Sequence, residues 1–407
     1  MPDNSATLRR SLSLPLVTFY GLGNILGAGI YILIGKIAGE AGLFAPLSFL
    51  AASLLAALTA FTYAELSSRY PLSAGEAVYV QKGFGISQLS LLVGLLIIMT
   101  GIVSAATIAR GFVGYLGVFI ILPDWLVIVA VIGILGAVAI WGIAESVGTA
   151  AIITLVEVAG LLLIIYIAAP LFSTLPERAA EFVPAFHLDN WSGIFAGAFL
   201  AFYAYVGFED MVNVAEEVKS PERILPYAIL LSLFIAAILY IIIAVVSLLV
   251  LDAAQLAQSD APLATVYEVV TGDKPVIISI ISMFAVINGA LIQIIMASRV
   301  CYGLGRQGWL PAILGHVAAR TRTPVYATLL VILLIIVMAL WLPIETLARS
   351  TSYLLLVIFG LVNGGLIRIK GREAPAKKIF TVPVFIPWLG LAGCIIFLVI
   401  QTISLFK

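Results

Sequence analysis

The 407-residue chain is 63% hydrophobic and only 10% charged, with 21 basic residues against 21 acidic ones. A soluble globular domain carries roughly 45–50% and 25%, so this composition excludes a water-soluble surface, and the zero net charge supplies no basic or acidic tract that would seek nucleic acid. Cys301 and Cys394 both fall in apolar segments and read as buried thiols, which argues against a disulfide framework.

Residues 1–14 are read as a cytoplasmic amino terminus. Arg9 and Arg10 precede an apolar run that is too long for a signal-peptide core and has no small-residue cleavage site, so the run is kept as the first membrane helix. From Pro15 to Phe406, stretches of roughly 20 apolar residues, enough to cross a bilayer, recur between short polar breaks. They predict about eleven helices, over residues 15–36, 43–66, 87–113, 123–142, 147–169, 191–216, 225–251, 275–304, 323–342, 346–368 and 383–405. Residues 15–169 form a first five-helix half and 191–368 a second, with an external loop at 170–190 between them. Residues 369–407 make a cytoplasmic linker and the eleventh helix.

With the amino terminus inside, all but six of the 21 Lys and Arg residues fall on or next to the cytoplasmic side. The exceptions are Lys36, Arg110, Arg178, Lys274, Arg349 and Lys407. This asymmetry obeys the positive-inside rule and places the carboxyl terminus outside. The external breaks 171–190 and 252–274 are candidate lids. A short helix over Leu263 to Val270 is expected to lie across the mouth or simply on the surface.

The first helix carries Gly27-Ala28-Gly29 at mid-membrane depth, between two apolar halves. The sixth repeats the theme in Tyr203-Ala204-Tyr205-Val206-Gly207-Phe208-Glu209-Asp210, where a glycine and two carboxylates interrupt an apolar segment. Either site alone is explained by close helix packing. Breaks at the first helix of each half point instead to a transporter's central site. Backbone groups freed in the membrane must be satisfied by protein, water or ligand; freed amides attract an anion and freed carbonyls a cation. A ligand with carboxylate and ammonium on neighbouring atoms, an α-amino acid, suits both.

Four stretches then carry a family resemblance: GLGNILGAGIY at 21–31, AELSSRYPLSAGEAVYV at 64–80, AYVGFEDMVNVAEEVKSPERILPYAI at 204–229, and SRVCYGLGRQGWLP at 298–311. Over nearly its whole length the chain resembles the amino acid-polyamine-organocation superfamily, in particular its bacterial and archaeal amino acid permease branch. The resemblance implies an all-α membrane protein with the leucine-transporter fold: a 5+5 inverted repeat, first and sixth helices broken, plus one extra helix. It implies that Gly27, Ala28, Gly29 and Ile30 meet the substrate carboxylate through backbone amides. Carbonyls near Asn24 and Ile25, and near Tyr203, Val206 and Gly207, would take the ammonium, with Tyr203 or Tyr205 as an aromatic gate. Family members usually have twelve helices, and relatives that pair with a heavy chain use a cysteine in the loop after the third helix. Residues 111–123 contain no cysteine, so no disulfide-linked partner is expected, and the oligomeric state stays open.

Glu157 stands in the middle of the fifth helix without a basic residue nearby in sequence. A carboxylate there costs several kcal/mol unless paired or protonated. Proton-coupled relatives carry a lysine in the corresponding stretch, so this departure puts the lysine mechanism in doubt and leaves Glu157 as a proton site, a sodium ligand, or a buried carboxyl bonded to a neighbouring helix. Glu209 is a second proton site, a contact to the first helix, or a cap on the second half-helix. Ser298 on the eighth helix is a candidate cation ligand beside Glu157, and Asn288 on the same helix and Thr100 and Ser104 on the third are further polar candidates, each of which singly reads as structural. Glu65 with Arg69, and Glu216, Glu217, Lys219 and Arg223, are expected to form an internal gate of exposed ion pairs or a solvated loop.

The reading is a secondary transporter in the inner cell membrane that imports amino acids, neutral ones given the scarcity of intramembrane charge, by proton symport with alternating access. Sodium symport, exchange and an amino acid sensor are the alternatives. An enzyme is not expected, because His187 and His316 both fall in loops and no metal-ligand cluster exists; the coupling ion, H+ or Na+, is the only cofactor foreseen.

Overall fold

The computed structural model describes residues 10, 12–27, 29–72, 75–141, 147–374 and 379–404. In the first half α1 (Leu14–Leu26) and α2 (Gly29–Ala41) are followed by α3 (Ala45–Arg69), α4 (Gly75–Phe84), α5 (Ser87–Gly117), α6 (Asp124–Trp141) and α7 (Val147–Ile167). The short α8 (Leu175–Arg178) leads to α9 (Leu188–Phe202), which gives way to tight turns over Tyr203–Tyr205 and Glu209–Glu217. The remainder comprises α10 (Pro221–Val250), α11 (Ala253–Gln258), α12 (Pro262–Thr271), α13 (Val276–Arg306), α14 (Val325–Trp341), α15 (Ile344–Arg372) and α16 (Phe385–Ser404).

Local chemistry sets several of the boundaries. Proline occupies the first turn of α1, α3, α10 and α12, where its missing N–H costs no helical hydrogen bond. A capping box between Asp252 and Gln255 starts α11.

Among the described residues, eight segments are long and apolar enough to cross a bilayer, nine if the bent pair 151–167 and 169–182 is one span. The first, Leu14–Arg69, holds α1, α2 and α3 in succession, and α14 is an apolar helix of 17 residues. Large apolar side chains such as Leu54, Ile134, Phe234 and Leu333 are exposed on the outside of the bundle. Side chains of that kind face lipid, and the chain is a multi-pass membrane protein.

α5 and α13 pack along each other at the centre, and α3 packs along α10. α1 lies on α10 as α9 lies on α3, so each broken helix rests on the second helix of the other half. This is the leucine-transporter fold expected from the resemblance, with α16 added against α3 and α15.

Two features depart from expectation. The break after α3 contains α4, a ten-residue helix of mixed polarity with Gly75, Glu76, Tyr79 and Val80 buried. Glu65 is wholly buried, where an exposed ion pair is expected: it accepts from Arg69 at 2.7 Å, from Lys370 at 2.7 Å and from the Val382 amide at 2.8 Å. A buried carboxylate needs this many donors to offset its lost hydration, and together they fasten α3 to α15 and to the segment leading into α16.

Candidate substrate site at two helix breaks

α1 ends at Leu26, and Gly27, still helical, donates its amide to the Gly23 carbonyl; α2 begins at Gly29. Ala28 lies outside the described residues. On the other side, Val206 is extended with φ −61° and ψ 136°, and Gly207 has φ 123°. That dihedral is open to glycine and strained for any residue with a β-carbon.

The two breaks touch. A β-carbon on Gly207 would stand 2.6 Å from the Asn24 carbonyl carbon, and one on Gly29 would collide with Ala204. α13 closes a third side, since a β-carbon on Gly27 would come within 3.3 Å of the Ala285 carbonyl oxygen. Ile25 and Ile30 are buried in the surrounding core.

Tyr240 of α10 joins the two breaks. Its hydroxyl lies 2.7 Å from the Ile25 carbonyl oxygen and 3.0 Å from that of Ala204, and its single proton serves both. Among the described residues, neither polar atom of the Asn24 side chain has a hydrogen-bond partner, although both are shut off from solvent. An amide left so is costly, and in a site built of broken backbone it is a group available to a ligand.

The tyrosines of the second break divide their tasks. The Tyr205 hydroxyl donates to the Phe49 carbonyl at 3.1 Å, and its ring packs on Tyr240 at 5.2 Å, which makes it scaffold between α3 and α10. The Tyr203 hydroxyl sits 3.1 Å from Ser104 Oγ and reaches from the end of α9 to α5. The Tyr203 carbonyl accepts the Val206 amide at 3.1 Å and is thus already engaged within its own turn.

Glu157 is wholly buried on α7; its backbone carbonyl accepts the Tyr31 hydroxyl at 2.6 Å, and Asn288 Nδ2 of α13 lies 3.5 Å from its carboxyl. Glu209 turns back and accepts the Gly207 amide at 2.8 Å, and the turn that it begins has no side-chain cap. Ser298 donates to its own helix, 2.6 Å from the Ile294 carbonyl oxygen, and its own oxygen keeps its lone pairs.

Sequence reasoning named Ala204 and Asp210 only as members of the second break, and gave no role to Tyr240 or Glu76. Asp210 and Glu76 are buried behind the second break, with Gln293 Nε2 3.5 Å from Asp210 and the Tyr63 hydroxyl 3.2 Å from Glu76. No Lys or Arg pairs with either carboxyl among the described residues. Glu76 belongs to α4, outside the membrane-spanning segments, and burial pushes its carboxyl up to about 7; a backbone hydrogen bond and the Tyr63 hydroxyl oppose the rise, and Asp210 adds to it.

The two ends of the bundle differ. Where α2 terminates, a cavity of about 560 Å³ is lined by Lys36, Arg110, Asp124, Asp260 and Glu345. Lys36 pairs there with Glu345 at 3.1 Å, and Arg349 with Glu40. At the opposite end Leu12 donates to Glu217 and accepts from Lys219, both at 3.0 Å, which laces the start of the chain to the segment after the second break.

A helical membrane bundle in which two discontinuous helices meet back to back at its centre has the architecture of a permease. The profile of the family described as amino acid permease matches residues 12–406, and the chain belongs to that family. It is similar to the vacuolar cationic amino acid transporter 2 of Arabidopsis thaliana, 30% identical over 383 residues that make up 87% of this chain and 59% of that protein. The branched-chain amino acid permease BcaP of Bacillus subtilis (strain 168) is 26% identical over 96% of this chain and 87% of its own length. The methylthioribose transporter of the same bacterium is 26% identical over 95% and 86%. The chain spans 59% and 63% of the two Arabidopsis vacuolar transporters it matches.

Proposed function

We propose that this protein is a secondary transporter of the cell membrane that imports a neutral α-amino acid by proton symport with alternating access. The observation that carries the proposal is the meeting of the two breaks, with Gly207 on Asn24, Gly29 on Ala204, and the unpartnered Asn24 amide beside them. The substrate carboxylate takes the backbone amides of Gly29 and Ile30, at the amino terminus of α2, where helix polarity favours an anion; the Gly27 amide is held by the Gly23 carbonyl. The ammonium takes carbonyls of the second break and of Asn24 and Ile25; those of Ile25 and Ala204 each keep a second lone pair when Tyr240 is bound.

A neutral side chain is part of this reading because Ile25, Ile30, Ala204 and Tyr203 lie about the breaks and the carboxyl next to them, Glu209, is turned onto the Gly207 amide. Relatives are named for cationic and for branched-chain amino acids, and the reading takes the second. Glu157 is the proton carrier in this reading, because it stands between α7 and α13 within the bundle and Asn288 faces its carboxyl. Tyr203 is the gate that closes on the substrate from α9 toward α5.

The test is uptake into proteoliposomes under an imposed inward pH gradient without sodium. Accumulation of a neutral amino acid by the wild type, and binding without gradient-driven uptake by Glu157→Gln, is the expected result. A sodium requirement with no response to pH would overturn proton coupling, and retained binding without any uptake would overturn transport in favour of sensing.

A further inference from the structure

We propose that the groove between α15 and α16 binds one anionic phospholipid. The groove has a volume of about 440 Å³; Gly360 and Gly364 form part of its floor, Trp388 and Ile395 its outer wall, and Arg368 stands at one end. Val357, Trp388 and Ile395 are exposed, so the groove opens away from the bundle, toward lipid.

Its length fits one leaflet. The stretch of α15 from Leu356 to Arg368, both lining the groove, rises about 18 Å at ~1.5 Å per residue, and half of a ~30 Å hydrocarbon core is about 15 Å. Trp388, in the first turn of α16, is the residue type that settles at the boundary between hydrocarbon and headgroups. An acyl chain lying along the glycine floor therefore brings its headgroup to the Arg368 end.

Charge decides which headgroup. Arg368 is exposed, its guanidinium carbon lies 5.2 Å from the centre of the Phe84 ring, and it has no acidic partner among the described residues. The ring covers one face of the guanidinium and leaves its N–H edge for a phosphate, whose oxygens match that planar fork. A zwitterionic lipid would set its own cation against Arg368, whereas an anionic one completes the pair.

The experiment is native mass spectrometry of the full chain in detergent, titrated with phosphatidylglycerol or with phosphatidylcholine of the same acyl chains. One phosphatidylglycerol should be retained about fivefold more tightly than phosphatidylcholine, the preference a single juxtamembrane cation supplies. Arg368→Gln should bring phosphatidylglycerol down to the level of phosphatidylcholine. Gly360→Leu, at a site where a β-carbon clears Leu391 by 3.8 Å and the longer side chain fills the floor, should weaken both. Excess inorganic phosphate should leave the retained lipid in place. Equal retention of the two lipids by the wild type, indifference to both variants, or displacement by phosphate alone would overturn the proposal. So would a lipid-free dimer that Gly360→Leu converts to monomer, since the groove would then hold a second copy of the chain.

Discussion

The backbone of Gly207 lies directly on that of Asn24: a β-carbon at residue 207 would stand 2.6 Å from the Asn24 carbonyl carbon. Gly207→Ala therefore suffers twice, from contact with Asn24 and from a φ of 123° that a β-carbon disfavours by about 1–3 kcal/mol. The expected outcome is a lower melting temperature together with amino acid affinity reduced at least about tenfold, the equivalent of ~1.4 kcal/mol. Isothermal titration of the purified variant checks it; wild-type affinity would separate the second break from the site.

Tyr240→Phe keeps the ring on Tyr205 and removes the hydroxyl shared by the Ile25 and Ala204 carbonyls. The loss of buried hydrogen bonding should cost about 1–3 kcal/mol, read as a drop in melting temperature, and the loosened breaks should bind the amino acid more weakly. Unchanged stability and affinity would show that Tyr240 does not hold the breaks in register.

Asn24→Ala separates binding from folding. Its amide has no partner among the described residues, so truncation should leave stability unchanged or raise it, because a costly buried polar group is gone. Affinity for the amino acid should fall. A variant that loses stability in step with affinity would make Asn24 a packing residue.

Glu76, whose carboxyl is raised from 4.5 to about 7, contributes a pH dependence of definite sign to stability. Between those values the folded protein holds a proton that the unfolded chain releases, so stability falls as pH rises through that window and levels off above it. At ~1.4 kcal/mol per unit the loss is on the order of 3 kcal/mol. Melting temperatures from pH 4.5 to 8 should decline for the wild type and decline less for Glu76→Gln. Parallel curves would assign the decline to other groups.

Both breaks were legible in sequence because glycine inside an apolar helix is a local signal, and Gly27, Gly29 and Gly207 stand where the backbones meet. Tyr240 was not, since an aromatic residue in an apolar run reads as packing until the register of α10 against α1 and α9 is known. Glu65 carries a similar lesson. Its neighbour Arg69 is visible at helical spacing, but its burial depends on Lys370 and on Val382, 317 residues further along. α4 escaped notice because ten residues of mixed polarity have no membrane period, and with it went Glu76.

The claim that an α-amino acid sits between the breaks is tested most directly at Gly29, where any β-carbon runs into Ala204. Equilibrium binding should be measured for wild type and Gly29→Leu with a neutral amino acid, its methyl ester and its decarboxylated amine, alongside melting curves that confirm both proteins are folded. The wild type should bind the amino acid far more tightly than either analogue, and folded Gly29→Leu should bind none of the three. Equal affinity of the wild type for the amino acid and the amine, or undiminished binding by the variant, would contradict it.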